Sequence, residues 1–127
     1  PANRMKVEKE HRVPLSIRAI EIITNITSNR NPDEHVFSGW KQNTGLSNNA
    51  LLALLKKMGR SDITAHGFRS TFRDWAAEEA YTFANETIEL ALAHAIKNKA
   101  EAAYRRGDQL ERRRELMTAW SEYIDEK

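Results

Sequence analysis

The chain has 127 residues, with 20 Lys and Arg against 18 Asp and Glu, and it contains no cysteine. This length suits one modest domain with a single core, and the lack of cysteine excludes disulfides and thiolate-held metals. We expect neither a membrane span nor a secretory signal, because no segment is long and apolar enough and the first residues are polar and basic.

The N-terminal segment predicts a short β-hairpin, in which residues 5–7 pair with residues 12–13. Ser16 is placed to cap a helix over residues 17–27. Apolar residues recur at helical spacing in that segment, at Ile20, Ile23 and Ile26.

A polar loop over residues 29–49 follows, and we expect Phe37 and Trp40 to attach it to the core. Ser47 is placed to cap the next helix, which Gly59 should end. The apolar face of this helix is predicted to consist of Leu51, Leu54, Leu55 and Met58.

The second half of the chain predicts helices over residues 64–79, 86–94 and 99–104, and a last amphipathic helix after Gly107. The fold class is therefore mainly α with one small N-terminal hairpin. The predicted inward residues are Phe68, Phe72, Trp75, Ala76, Ile88, Ala91, Leu92, Leu110, Met117, Trp120 and Ile124.

Basic residues are clustered although the formal net charge is only +2. Such clusters can follow a phosphate backbone, but most charge runs are simply solvated helix faces. The clusters are Arg4, Lys6, Lys9 and Arg12; then Lys97, Lys99, Arg105 and Arg106; then Arg112, Arg113 and Arg114.

Four residues are of the types that chemistry on a phosphodiester would use. His66 and Arg69 lie three residues apart near a predicted helix start, and His94 precedes Tyr104 by ten residues. Arginine and histidine can hold a phosphate that gains charge in the transition state, and a tyrosine can attack it. Each residue alone has an ordinary structural explanation, whereas together these residue types suit phosphodiester chemistry without a metal.

The surrounding segments resemble the tyrosine recombinases of the phage integrase family, especially integrases of prophages and genomic islands. The similar blocks are EHRVPLS, HGFRSTFRDWAAE, IELALAH, KNKAEAAYRRGD and ERRRELMTAW, in the family's order. The resemblance implies a bacterial cytoplasmic, nucleoid-associated enzyme that acts on double-stranded attachment sites and assembles as a tetramer on DNA. It implies no cofactor, neither ATP nor metal.

The same resemblance assigns roles to individual residues. Tyr104 would be the nucleophile, Lys6 the general acid, and Arg69, His66 and His94 the groups on the scissile phosphate. Tyr81 and Tyr123 lack this spacing. DNA contacts would come from the basic residues Arg4, Lys9, Arg12, Lys97, Lys99, Arg105 and Arg106.

One element of the family pattern has no counterpart in this chain, namely a second catalytic arginine upstream of the Lys6 position. The resemblance therefore suggests that residues 1–127 form the C-terminal part of an integrase catalytic domain. Two alternatives stay open: a catalytically inactive DNA-binding or interaction module of the same fold, and a helical DNA-binding regulator. The regulator would explain the basic clusters but not the His-x-x-Arg, His and Tyr spacing.

Overall fold

The computed structural model describes residues 1–5, 8–41, 43–94 and 107–126. The chain divides into two compact units. We call residues 17–71 the central unit, and residues 1–16 together with 72–127 the terminal unit. The boundary falls inside a helix, so the central unit ends where the core residues of the terminal unit begin.

The described residues confirm a mainly helical protein. Apart from one isolated bridge between Ser38 and Gly45, they contain no β-pairing. Among them, no helix has the length and hydropathy needed to cross a membrane. The elements are a 3-10 turn at Ala2–Arg4 and the helices α1 (Ile17–Thr27), α2 (Ala50–Lys57), α3 (Ala65–Glu78), α4 (Asn85–Ala91) and α5 (Leu110–Asp125).

The terminal unit has an aromatic core formed by α3 and α5. Trp75 lies 4.9 Å from Trp120 between ring centroids, and Phe72 meets Trp120 edge-on at 5.5 Å. Tyr123 stacks on Trp120 at 5.8 Å. Tilted and edge-on pairs of this kind add stability beyond the buried area. The buried apolar residues are Phe72, Trp75, Ala76, Ala80, Ile88, Leu92 and Leu116.

Phe68 is an exception to the predicted core, because 59% of it is exposed. It lies one turn before Phe72 on α3, but it belongs to the central unit, whereas the aromatic cluster belongs to the terminal unit. The prediction that Phe68 is buried is therefore wrong. Helical spacing alone could not show that the apolar face of α3 is exposed at Phe68 and buried from Phe72 onward.

The predicted β-hairpin is absent from the described part of the N-terminal segment, residues 1–5 and 8–16. Glu8 has a φ of 48°, in the left-handed region that a strand does not use. The carbonyl of Arg12 accepts a hydrogen bond from Arg113 at 2.6 Å, and the Arg12 side chain pairs with Asp108. The segment is therefore fixed to the start of α5, and its polar groups are used there.

The loop between α1 and α2 is held by polar contacts of its own. The guanidinium of Arg30 donates to the carbonyl of His35 at 3.0 Å and to the hydroxyl of Ser38 at 2.8 Å. Trp40 is fully exposed and Phe37 is half exposed. The prediction that these two aromatic residues attach the loop to the core is wrong, because backbone and side-chain hydrogen bonds close the loop without them.

Both ends of α2 can be compared with the sequence. Its N-cap is Asn49, and the amide of Ala50 bonds to the backbone carbonyl of Ser47, so the predicted Ser47 cap is wrong. Gly59 ends the helix as predicted, with a φ of 76° that favours glycine. Of the predicted apolar face only Leu55 is buried, whereas Leu51, Leu54 and Met58 are exposed.

Candidate active site

The His-x-x-Arg pair lies on the first two turns of α3. The side chain of Thr64 accepts a hydrogen bond from the amide of Gly67 at 3.1 Å and so caps the helix. His66 and Arg69 are three residues apart on this helix, which places them on the same side. His66 is exposed, and Arg69 is partly buried.

The start of α3 is suited to an anion. The first amides of a helix lack intrahelical partners and lie at the positive end of its dipole. A surface hollow of about 280 Å³ lies beside the same turn. Neither His66 nor Arg69 lines this hollow, so it is distinct from the predicted phosphate site; its lining consists of Asp62, Ile63, Thr64, Gly67, Phe68 and Thr71.

His94 follows the C-terminal end of α4 and is fixed there by its backbone. Its amide donates to the carbonyl of Glu89 at 3.0 Å, and the amide of Ala93 donates to the carbonyl of Leu90 at 3.1 Å. Ala93 adopts a left-handed φ of 52°. This pair of bonds is a Schellman motif with alanine where glycine is usual.

The imidazole of His94 is also bonded to Glu89. Nδ1 of His94 lies 2.6 Å from one carboxylate oxygen of Glu89, and the other oxygen accepts a hydrogen bond from Arg73 at 3.1 Å. A second nitrogen of Arg73 donates to the amide oxygen of Asn85 at 3.0 Å. The hydrogen bond with His94, together with the charges of His94 and Arg73, lowers the pKa of Glu89 despite partial burial. Glu89 is therefore ionised at neutral pH.

Arg12 is already engaged by an acidic partner. Two of its nitrogens bond to the two carboxylate oxygens of Asp108, at 2.9 and 2.8 Å. These hydrogen bonds, with the charges of Arg12 and Arg113, hold the pKa of Asp108 below its ordinary value. Arg12 was expected to contact DNA, and in this structure its charge is compensated within the protein.

Arg113 lies inside the terminal unit and not on a basic surface. Only 1% of it is exposed, and it donates to the carbonyls of Asp108 and Arg12 at 2.7 and 2.6 Å and to the Asp108 carboxylate at 3.0 Å. Burial lowers its pKa, but a guanidinium remains charged at neutral pH. Arg113 is therefore neither a solvated helix residue nor a phosphate contact in this structure, because protein partners use its donors.

The remaining predicted site residues have the following positions. Lys9 is exposed, and for Arg4 only the backbone, in the 3-10 turn, is described. His66 and Arg69 belong to the central unit and His94 to the terminal unit, so their meeting at one phosphate stays a prediction. Lys6, Lys97, Lys99, Tyr104, Arg105 and Arg106 lie outside the described residues.

Sequence reasoning missed Glu89 as the partner of His94, and Arg73 as the partner of Glu89. The segment IELALAH contains Glu89 five positions before His94, and Arg73 follows Arg69 by one turn of α3. No simple spacing rule marks a carboxylate five residues before a histidine, because i and i+5 are not neighbours on a straight helix. The pairing depends on the reversal of the chain at Ala93.

The chain is similar to known integrases over nearly its whole length. The model of the phage integrase family matches residues 3–111. The prophage integrase IntA of Escherichia coli K12 is 36% identical over 98% of this chain and 30% of its own length. The integrase of Shigella phage Sf6 is 34% identical over 99% of this chain and 33% of its own length.

A third relative, the prophage integrase IntS of Escherichia coli K12, is 33% identical over 99% of this chain and 33% of its own length. The chain thus spans about a third of the length of these relatives. No solved structure matches it. The matched range contains the His-x-x-Arg pair, His94 and Tyr104 in the order that the sequence predicted, and the chain belongs to the phage integrase family of tyrosine recombinases.

Proposed function

We propose that this chain contributes the nucleophile and most phosphate-binding groups of a site-specific DNA recombinase. The observation that carries the proposal is the family match to residues 3–111, a range that contains Lys6, His66, Arg69, His94 and Tyr104. The placement of His66 and Arg69 on the same side of a helix start supports an anion site there.

In the proposed reaction, the hydroxyl oxygen of Tyr104 bonds to phosphorus while the bond to the 5′ oxygen of the next nucleotide breaks. Lys6 gives a proton to that leaving oxygen, and the phenolic proton passes to solvent. The products are a 3′-phosphotyrosyl link and a free 5′-hydroxyl. A 5′-hydroxyl of the partner strand reverses the step, and since the phosphoester is retained, ATP is not consumed.

Charge stabilisation falls to the other three residues. The guanidinium of Arg69 suits a bidentate contact with the non-bridging oxygens, and His66 and His94 supply further donors. Tyrosine has an ordinary pKa of about 10, so it needs such cations nearby to act as a nucleophile. In the proposal, the substrate is a double-stranded attachment site and four protomers assemble on it, with Lys9 and the basic residues around Tyr104 contacting the backbone.

The test compares this chain with a chimera in which it replaces the matching third of the Sf6 phage integrase. Each protein is incubated with a nicked suicide substrate carrying that phage's attachment core, and covalent adducts are counted on a denaturing gel. We expect an adduct from the chimera that Tyr104→Phe abolishes. The matched control is Tyr81→Phe, since Tyr81 is 82% exposed in a loop and should not matter.

The 127-residue chain alone should bind the substrate weakly and form little adduct. Only one of the two family arginines is present in it, and losing one preorganised donor costs about 10²–10³ in rate. An adduct that survives Tyr104→Phe would overturn the proposed nucleophile. A folded chimera that binds the site but forms no adduct would favour the inactive DNA-binding module.

A further inference from the structure

Glu89 is a partly buried carboxylate whose two oxygens are both hydrogen-bonded, one to the imidazole of His94 and the other to the guanidinium of Arg73. One oxygen lies 2.6 Å from Nδ1 of His94 and the other 3.1 Å from Nε of Arg73, and 33% of the Glu89 side chain is exposed. It lies in α4, with its neighbour Ile88 in the core. A carboxylate shared in this way holds two side chains in fixed orientations.

Arg73 fixes Glu89 in turn. Its guanidinium contacts Glu89 and Asn85, which are four residues apart and therefore neighbours on one side of α4. Since Arg73 belongs to the part of α3 in the terminal unit, this fork ties α4 to α3 within that unit. The carboxylate of Glu89 is thus held in place by contacts that do not involve His94.

His94 is restrained by Glu89 at two points. The backbone carbonyl of Glu89 accepts a hydrogen bond from the amide of His94, and the carboxylate of Glu89 accepts one from the imidazole of His94. The left-handed φ of Ala93 turns the chain back so that both bonds form. A non-glycine residue is strained in that region, and such strain tends to occur at functional sites.

The chemistry of this contact selects one tautomer of the imidazole. An ionised carboxylate can only accept a hydrogen bond, so Nδ1 of His94 must carry the proton. Nε2 is then the nitrogen that remains for another partner, on the opposite edge of the ring. A histidine that meets a phosphate oxygen or exchanges a proton there needs this choice to be made in advance.

We infer that Glu89 is a positioning residue for strand transfer: it holds the imidazole of His94 with Nε2 turned toward the scissile phosphate, while Arg73 holds Glu89. This inference rests on the proposed function of His94 at the phosphate. Glu89 and His94 of the segment IELALAH would then act as other carboxylate and histidine pairs do, in which the carboxylate orients a catalytic or metal-binding imidazole.

The first experiment uses the chain itself and needs no activity. Long-range ¹⁵N–¹H spectra of the four histidines are recorded at a pH where imidazoles are neutral, and His94 is assigned with His94→Gln. We expect the Nδ1–H form for His94, reverting toward the Nε2–H form in Glu89→Gln. The matched control is Glu78→Gln on the exposed end of α3, which should leave the spectrum unchanged.

The second experiment measures the rate of adduct formation in the Sf6 chimera. We expect Glu89→Gln to lower this rate about 10–100-fold, as loss of an orienting partner does elsewhere, with unchanged circular dichroism and DNA affinity. Arg73→Lys should give a smaller decrease, because Lys offers one charge but not the fork that spans two residues. Glu78→Gln should react like the unmodified protein.

The outcomes separate this inference from the proposed function. An Nε2–H tautomer for His94 in the unmodified chain, or a Glu89→Gln variant with unchanged tautomer and rate, would overturn the positioning role and leave Tyr104 catalysis intact. A normal rate in His94→Gln would do the same. Adducts that persist in Tyr104→Phe would instead reject the proposed function, whatever the tautomer of His94.

Discussion

The two units of this chain bury their apolar residues to very different extents. In the terminal unit, four aromatic rings and several aliphatic residues form a continuous core, and Leu116 has no exposed surface. In the described part of the central unit, Leu55 is the single buried apolar residue. Both units have helices with good apolar periodicity, so periodicity shows which face can be buried but not whether it is.

The polar contacts also differ between the two units: those of the terminal unit join distant segments, and those of the central unit are local. In the terminal unit, Arg113, Asp108 and Arg12 join segments about a hundred residues apart in the chain, and Arg73, Glu89 and His94 join α3 to the end of α4. In the central unit the bonds of Arg30 and of Thr64 are local. We therefore expect the terminal unit to unfold cooperatively and the central unit to open more easily.

The sharpest test of this difference is Arg113→Met. We expect it to destabilise the terminal unit by about 3–5 kcal/mol, because it leaves the Arg12 carbonyl and one side of Asp108 without their buried partner. Chemical denaturation followed by tryptophan fluorescence measures the change. Its neighbour Arg112 is exposed, and Arg112→Met should shift stability by no more than about 0.5 kcal/mol. Equal effects of the two variants would contradict the buried position of Arg113.

A matched pair of leucines compares the two units directly. Leu116→Ala should cost about 2–5 kcal/mol, since the side chain is fully buried and its loss leaves a cavity. Leu54→Ala in α2 should cost less than about 1 kcal/mol, because 51% of that residue is exposed. Hydrogen exchange of the amides in each unit would report the two effects separately. A large cost for Leu54→Ala would show that α2 is covered in solution.

Two left-handed residues allow a smaller comparison. Gly59 ends α2 in the central unit and Ala93 ends α4 in the terminal unit, both in Schellman motifs. We expect Gly59→Ala to destabilise by about 1 kcal/mol and Ala93→Gly to stabilise by a similar amount or less. Thermal unfolding would measure both. If Ala93→Gly also slows adduct formation, the rigidity of the turn before His94 matters for the reaction.

The pH dependence of stability should involve carboxyls of both units. Hydrogen bonds to neighbouring side chains lower the pKa of Glu89 and Asp108 in the terminal unit and of Asp62, which pairs with Arg60, in the central unit. A carboxyl with a lower pKa in the folded chain stabilises it above the unfolded pKa, and this contribution is lost as the pH falls through the folded value. We therefore expect stability to decline below about pH 4.

Asp108→Asn should flatten that decline, and denaturation midpoints measured across this pH range would show it. Glu78→Asn is the control, as Glu78 lies on the exposed end of α3. Because the Asp108 side chain is 35% exposed, the effect should be the smallest of those predicted here and should shrink in high salt. If stability declined equally below about pH 4 in Asp108→Asn, the pH dependence would have to come from carboxyls other than Asp108.

Local sequence determined the features that depend on neighbouring residues. The bounds of α1, the stop at Gly59 and the shared side of His66 and Arg69 follow from apolar spacing, a glycine and a three-residue interval. The resemblance of the sequence blocks, in the family's order, predicted the family. None of these features requires knowledge of what packs against a helix.

The tertiary structure alone decided which similar residues differ in role. Arg112, Arg113 and Arg114 are consecutive basic residues in the sequence, yet only Arg113 is buried, because the N-terminal segment and Asp108 enclose it. Phe68 and Phe72 share one face of α3, yet Phe68 is exposed and Phe72 is buried in the aromatic core of the terminal unit. Glu89 becomes the partner of His94 because the chain reverses at Ala93, and long-range contacts and chain reversals of this kind have no periodic pattern that a sequence can display.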